Sequence, residues 1–161
     1  MKSVIVYASR SGNTRRVAEE LGRALADEGG VVEVYEVGAA PVPMPEADLL
    51  LVGGPTEGHG ATPAMVKFLD RLAEEPLAGR SVAAFDTRLA WPRFLSGSAA
   101  EGIAKRLRAY GAHLVVAPES FIVSTKPELD PGELERSGRW ALDVARIAHT
   151  ADGRSPTLVG S

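Results

Sequence analysis

The sequence predicts a doubly wound α/β fold, a three-layer arrangement of five parallel strands in the order 2-1-3-4-5 between two helical layers. Three observations predict it. Short apolar runs alternate with amphipathic segments along the whole chain, the pattern of strand and crossover helix. The runs Val4–Ala8 and Asp48–Gly54 are almost unbroken in apolar residues, as strands covered on both faces require. Two further runs carry polar or proline positions that suit sheet edges: Val31–Val37 with Glu33 and Glu36, and His113–Val123 with Pro118, which lacks a ladder donor.

Val4–Ala8 is the first strand. A helix over Asn13–Glu28 follows, with Val17, Leu21 and Leu25 on one face at four-residue spacing, and Gly29-Gly30 ends it. Val31–Val37 is the second strand. Pro41, Pro43 and Pro45 stiffen the connection into the third, Asp48–Gly54. Thr62 can cap the next helix, Pro63 sits at its first position where a missing N–H costs nothing, and Met65, Phe68, Leu69 and Leu72 form its core stripe. Ser81–Phe85 is the fourth strand. Ser98-Ala99-Ala100-Glu101 has capping-box spacing and opens a helix that turns Ile103, Leu107 and Tyr110 to one side. His113–Val123 is the fifth strand, and Asp130-Pro131-Gly132-Glu133 opens a last helix reaching about His149. Residues 1–150 read as one domain and 151–161 as a tail.

The composition narrows the chemistry. With 161 residues, 45% hydrophobic and 24% charged, the chain is an ordinary globule that buries about 70% of its unfolded surface without a staple. The absence of cysteine excludes disulfides, thiolate metal sites, iron–sulfur clusters and cysteine-based phosphatases. His59, His113 and His149 lack metal-ligand spacing, so no metal is expected. A formal charge of −3 offers no footprint for nucleic acid, and no apolar run is long enough for a membrane. No signal-peptide core follows Met1-Lys2, which points to the cytoplasm. Arginine outnumbers lysine, Asn13 is the only asparagine and glutamine is absent, which we read as the codon bias of a GC-rich genome.

Ligands of such sheets bind beyond the carboxyl ends of the strands, where strands one and three diverge. That selects three loops: 9–14, 54–61 and 86–97. In the first, Ser9, Ser11 and Thr14 supply hydroxyls, Gly12 lets the backbone wrap an anion, and the helix start supplies free N–H groups and a positive dipole end. A phosphate monoester dianion matches that donor count. The plainer alternative is a turn in which Ser11 only caps the helix, but three hydroxyls, a glycine and the sole asparagine exceed what a cap needs. Neither a nucleotide-triphosphate loop nor a Gly-x-Gly-x-x-Gly fingerprint occurs.

Tyr7-Ala8-Ser9-Arg10-Ser11-Gly12-Asn13-Thr14 resembles the phosphate loop of flavodoxins, where hydroxyl residues flank Gly-x-Thr and hold the 5′-phosphate of FMN. The element order is similar to that family over roughly residues 2–149, without a long insertion in the fifth strand, as in short-chain members. The resemblance implies a flavodoxin-like fold and a non-covalent FMN, with Ser9, Arg10, Ser11, Gly12, Asn13 and Thr14 about its phosphate. It places Pro55, Thr56, Glu57, Gly58, His59 and Gly60 along the flavin edge, where Gly58 or Gly60 would accept a hydrogen bond from flavin N5 on reduction. Gly54-Pro55-Thr56 is also similar to the equivalent loop of flavodoxin-like quinone oxidoreductases, and His59 reads equally as a ring contact or a solvated loop residue. In the third loop Trp91, or failing it Phe94, would stack on the ring. There Thr87 would bond the flavin or ribityl chain, and Asp86, which replaces a usually small residue, would bond the flavin or the local backbone. Arg88 and Arg93 depart from the acidic rim usual in the family.

The implied function is electron transfer between a flavin-reductase-type donor and an unknown acceptor protein, by a monomer or weak dimer with no catalytic residue of its own. The alternative is an FMN-dependent NAD(P)H:quinone oxidoreductase, in which Arg88, Arg93 and His59 would serve nucleotide phosphates or quinone oxygens. A flavin-free regulatory module fits less well, because Ser9-Arg10 and Gly53-Gly54 stand where a response regulator needs acidic residues. A serine hydrolase would need a Gly-x-Ser-x-Gly elbow, which is missing.

Overall fold

Alternation along the apolar runs builds the sheet. In β1 (Lys2–Tyr7), β3 (Leu49–Pro55) and β4 (Ser81–Leu89) successive side chains point to opposite faces, and nearly all are buried. Val4, Val6, Leu50, Val52, Val82 and Ala84 face one core, which α2 (Pro63–Leu72) and α4 (Ala99–Ala109) close with Met65, Phe68, Leu69, Ile103 and Leu107. Ile5, Tyr7, Leu49, Leu51, Ala83 and Phe85 face the other, closed by α1 (Asn13–Asp27) and α5 (Glu133–Ala151) with Val17, Leu21, Ala141 and Val144. The computed structural model describes residues 1–152; residues 153–161 of the expected tail and the side chains of Arg93 and Phe94 lie outside the described residues.

With β2 (Val31–Glu36) on the outer side of β1, the strand order is 2-1-3-4-5, all parallel, as the sequence predicts. The fifth position differs from the expected continuous strand. It is divided into β5 (His113–Leu114) and β6 (Glu119–Val123), both beside β4. Val82 pairs with Leu114 and Phe85 with Glu119, so three steps along β4 face five along its partner. Pro118 lies in the interruption, where its missing N–H breaks no ladder bond.

A second difference matters more for the site. The fourth strand does not stop at Phe85; β4 continues through Asp86, Thr87 and Arg88 to Leu89 because β3 pairs with it as far as Thr87 and β6 as far as Leu89. The polar run Asp86-Thr87-Arg88 resembles a loop by composition, yet a neighbouring strand satisfies its backbone. The expected third loop therefore starts near Ala90 and includes the short helix α3 (Arg93–Ser96).

The outer margin at β6 is closed by α5. Glu133 accepts the Ile122 N–H at 2.7 Å, and the Arg136 guanidinium bonds Glu133 at 2.8 Å while lying 4.6 Å over the Phe121 ring. The hydrogen bond from Arg136 holds the Glu133 carboxyl below its ordinary range, against the opposing effect of burial and with help from the Ile122 N–H. Trp140 meets Phe85 and Phe121 edge-on at 6.1 and 5.8 Å. The predicted caps form: Thr62 Oγ1 accepts from Met65 N at 3.2 Å and Ser98 Oγ from Glu101 N at 3.3 Å.

Two glycine-to-alanine changes should have opposite signs. At Gly53 a Cβ would sit 2.3 Å from the fully buried Phe85 ring, so Gly53→Ala should lower stability by about 1–3 kcal/mol or more. At Gly102, exposed inside α4 with nothing within 4 Å, alanine should stabilise by about 0.5–1 kcal/mol. Urea midpoints at unchanged slope measure both; equal shifts would contradict the packing at Gly53.

Candidate functional site

β1 ends in the core at Tyr7, and Ala8 N is anchored to Gly53 O at 3.0 Å, so the chain emerges from the sheet at Ser9. It turns into α1 through Gly12, whose φ of 92° lies in the left-handed region where glycine carries no Cβ penalty. No side chain caps this helix. The first helical bond runs from Arg16 N to Gly12 O, which leaves the N–H groups of Asn13, Thr14 and Arg15 without an acceptor inside the helix. Ser11 is thus not a cap; it is exposed, and its Oγ accepts from Asn13 Nδ2 at 3.1 Å. Ser9 Oγ is buried and has no partner. An unpartnered hydroxyl, a glycine with open space above it and a helix N-terminus form one cradle with the donors that could hold an anion.

Two of the expected phosphate ligands have other work for their side chains. Asn13 is 4% exposed and also donates to Pro127 O at 2.8 Å, which ties the segment after β6 to the cradle. Thr14 is 1% exposed, and its Oγ1 shares a 2.8 Å hydrogen bond with Thr87 Oγ1 on β4. Their backbone N–H groups remain available. The neighbourhood of Pro127 is invisible in the sequence, since only the partner of the sole asparagine reveals it. Arg10 is mostly exposed and pairs with Glu57 at 2.9 Å, joining the first loop to the second.

The second loop leaves β3 at Pro55, and Thr56 N bonds Thr87 O at 2.9 Å. Glu57 and Gly60 then exchange backbone bonds of 2.8 and 2.9 Å around Gly58 and His59, with φ of 49° and 76°. Two consecutive positive φ values across such a pair make a primed hairpin turn, whose second position glycine usually fills. His59 fills it here and is exposed. Gly97 backs it so closely that a Cβ on Gly97 would fall 2.1 Å from His59 O.

Asp86 is fully buried, and its Oδ2 accepts from Ser98 Oγ at 2.6 Å, Ala100 N at 3.0 Å and Thr56 Oγ1 at 3.2 Å. Of the two expectations for it, local bonding is the one the structure displays. Thr87 is likewise turned to Thr14. Arg88 Nη1 donates to Leu89 O at 3.2 Å and Trp91 O at 2.7 Å, so its charge fastens its own turn instead of reaching outward. Trp91 is 57% exposed and Leu95 53%, so neither side chain is packed into the core. The rival aromatic, Phe94, has its side chain outside the described residues, as does Arg93.

Two grooves, of about 760 and 780 Å³, open at the opposite, amino ends of the strands, beside Lys2 and Arg80 and beside Met1 and Arg146. Among the described residues no group of three metal-ligating side chains converges, and no helix is long and apolar enough to cross a membrane.

Comparison with known proteins agrees with this geometry. Residues 5–88 match the model of the flavodoxin family. Flavodoxin 2 of Bacillus cereus superposes with a TM-score of 0.77 at 27% identity, covering 91% of this chain and 99% of that one. A flavodoxin from the domain Archaea gives 0.75 at 25% identity, covering 92% and 99%. The S-adenosyl-L-methionine-dependent tRNA 4-demethylwyosine synthase of Oryza sativa subsp. japonica is 34% identical over an alignment of 155 residues that covers 89% of this chain. This chain spans only 23% of that relative's length. With the donors of Ser9 and Gly12 suited to the phosphate of FMN, the chain belongs to the flavodoxin family and takes FMN as its cofactor.

Proposed function

We propose that the protein is an electron carrier that receives electrons from a flavin-reductase-type donor and delivers them to a separate acceptor protein. The observation that carries this reading is the unpartnered Ser9 Oγ beside the open amino end of α1, a cradle for a phosphate dianion on a fold of flavin-binding electron-transfer proteins. FMN supplies the one- and two-electron chemistry, and the chain supplies position and electrostatics. Ser9 Oγ–H, the Ser11 hydroxyl and the N–H groups of Gly12, Asn13, Thr14 and Arg15 hold the phosphate, and the α1 dipole favours its charge. Arg10 adds a cation at the rim and, through Glu57, draws the first loop toward the second. The Glu57–Gly60 turn presents its backbone to the ring edge. Trp91 offers a large apolar face that excludes water from one side of the ring.

The quinone-reductase alternative depends on free cations over the ring. Arg88 is committed to two carbonyls, which counts against it. Nothing in the carrier reading needs a general acid. The similarity to part of an S-adenosyl-L-methionine-dependent synthase makes an S-adenosyl-L-methionine-dependent enzyme the acceptor class to test first.

Three measurements test these assignments. In titrations of apo-protein, FMN should bind at least about 100-fold more tightly than riboflavin, and Ser9→Ala should cost FMN about tenfold, roughly one charge-assisted hydrogen bond, while leaving riboflavin unchanged. Equal affinities would refute the cradle. NAD(P)H oxidation by the FMN-loaded protein should be negligible until a flavin reductase is added; rapid oxidation by the protein alone would favour the enzyme. In a Trp140→Phe background FMN should quench Trp91 emission strongly, and Trp91→Ala should weaken FMN binding by about 0.5–1.5 kcal/mol or more and move the visible bands. Unaltered bands and affinity would remove Trp91 from the ring.

A further inference from the structure

The turn at Glu57–Gly60 does not hold itself in place. His59 sits at φ 76°, a conformation that is strained for a non-glycine residue and persists only where surrounding contacts enforce it. Those contacts lead to one buried group. Thr56 Oγ1 donates to Asp86 Oδ2 at 3.2 Å and accepts from Ala99 N at 3.0 Å, so a single hydroxyl links the turn to both β4 and the first residue of α4. Asp86 Oδ2 in turn receives Ser98 Oγ and Ala100 N, and Gly97, one residue before Ser98, abuts the His59 carbonyl. The whole start of α4 is thereby riveted to the turn.

At the centre of the rivet stands an acidic side chain where stability alone would be met by a neutral one. Asp86 is 0% exposed, its Oδ1 is buried without a partner, and among the described residues no cation lies within ion-pair distance of it. Its partners are hydroxyls and the amino end of α4, whose dipole tolerates the negative charge without cancelling it. A buried carboxylate with an unsatisfied oxygen costs free energy that a neutral side chain would avoid. It lies level with Gly54 on β3, at the carboxyl end of the sheet where both flavin loops begin. A fixed negative charge there, in a low dielectric, opposes the addition of electrons nearby.

On the reading that FMN occupies this crevice, we propose that Thr56 and Asp86 are positioning residues: together they hold the Glu57–Gly60 turn against the amino end of α4, and the Asp86 carboxylate keeps the reduction potential of the bound flavin low. Neither touches the phosphate cradle, so the two halves of the site separate in experiment.

The test uses the full chain with Thr56→Val, Thr56→Ser and Asp86→Asn. In apo-protein, amide hydrogen exchange at Gly58–Gly60 should accelerate at least tenfold in Thr56→Val and return toward the parent rate in Thr56→Ser. On loading, Thr56→Val should weaken FMN and riboflavin by the same factor, about tenfold, leaving their ratio unchanged. Asp86→Asn keeps the shape and an acceptor but removes the charge; spectroelectrochemistry should show the one-electron equilibrium shifted at least tenfold toward reduction, which is 59 mV. Parent-like exchange and affinities in Thr56→Val, or loss of FMN binding alone, would overturn the positioning role. An unmoved potential in Asp86→Asn would overturn the charge role. A parent protein that binds no FMN would instead refute the cofactor assignment, and the exchange rates would still decide whether the rivet holds the turn.

Discussion

Because β1, β3 and β4 are buried on both faces, helices must cover the sheet on each side, and each parallel crossover must return the chain to the same starting edge. That requirement sends α1 and α5 to one side and α2 and α4 to the other. It also gathers the segments that follow the strands at their carboxyl ends. The cradle at Ser9–Gly12, the turn at Glu57–Gly60 and the segment carrying Trp91 are neighbours for that reason, although up to about eighty residues separate them in sequence. The close fit of Gly53 under Phe85 is part of the same constraint, since strands packed this tightly leave no room for a methyl group between them.

Within the cradle, polar groups divide between structure and ligand. The side chains of Asn13 and Thr14 are buried and spent on Pro127 and Thr87, which positions the loop from behind. Ser9 Oγ and the first-turn N–H groups are left without partners among the described residues, which is the donor set an anion would need. A loop whose rear donors are satisfied and whose front donors are not is preorganised: the order is bought during folding, and less is lost on binding.

The extension of β4 changes what the third loop can be. A strand that stopped at Phe85 would leave Asp86, Thr87 and Arg88 as mobile ligand contacts. Pairing with β6 out to Val123 instead turns all three into internal ties, to Thr56 and α4, to Thr14, and to the Trp91 turn. Among the described residues the exposed apolar surface of the segment then comes from Trp91 and Leu95, and Arg88 is tied into its own turn.

Patterns with short-range causes were legible in the sequence. Period-two apolar runs marked the strands, the capping hydroxyls of Thr62 and Ser98 marked two helix starts, and Gly12 marked the left-handed turn into α1, because strand burial, capping and left-handed backbone each depend on a few adjacent residues. Even the strand order followed from polar and proline positions at the edges. Other features depended on partners far away in the chain. Whether Asp86-Thr87-Arg88 is loop or strand is decided by β3 and β6, each more than thirty residues away, and a backbone satisfied by distant neighbours leaves no local trace. Which of the six cradle residues keep free donors is decided by Pro127 and Thr87, and the role of Asp86 by Thr56 and the start of α4. Local sequence determined what each segment is; the packing of the sheet decided which polar groups remain for the flavin, because a hydrogen bond between distant segments exists only once both have been brought together.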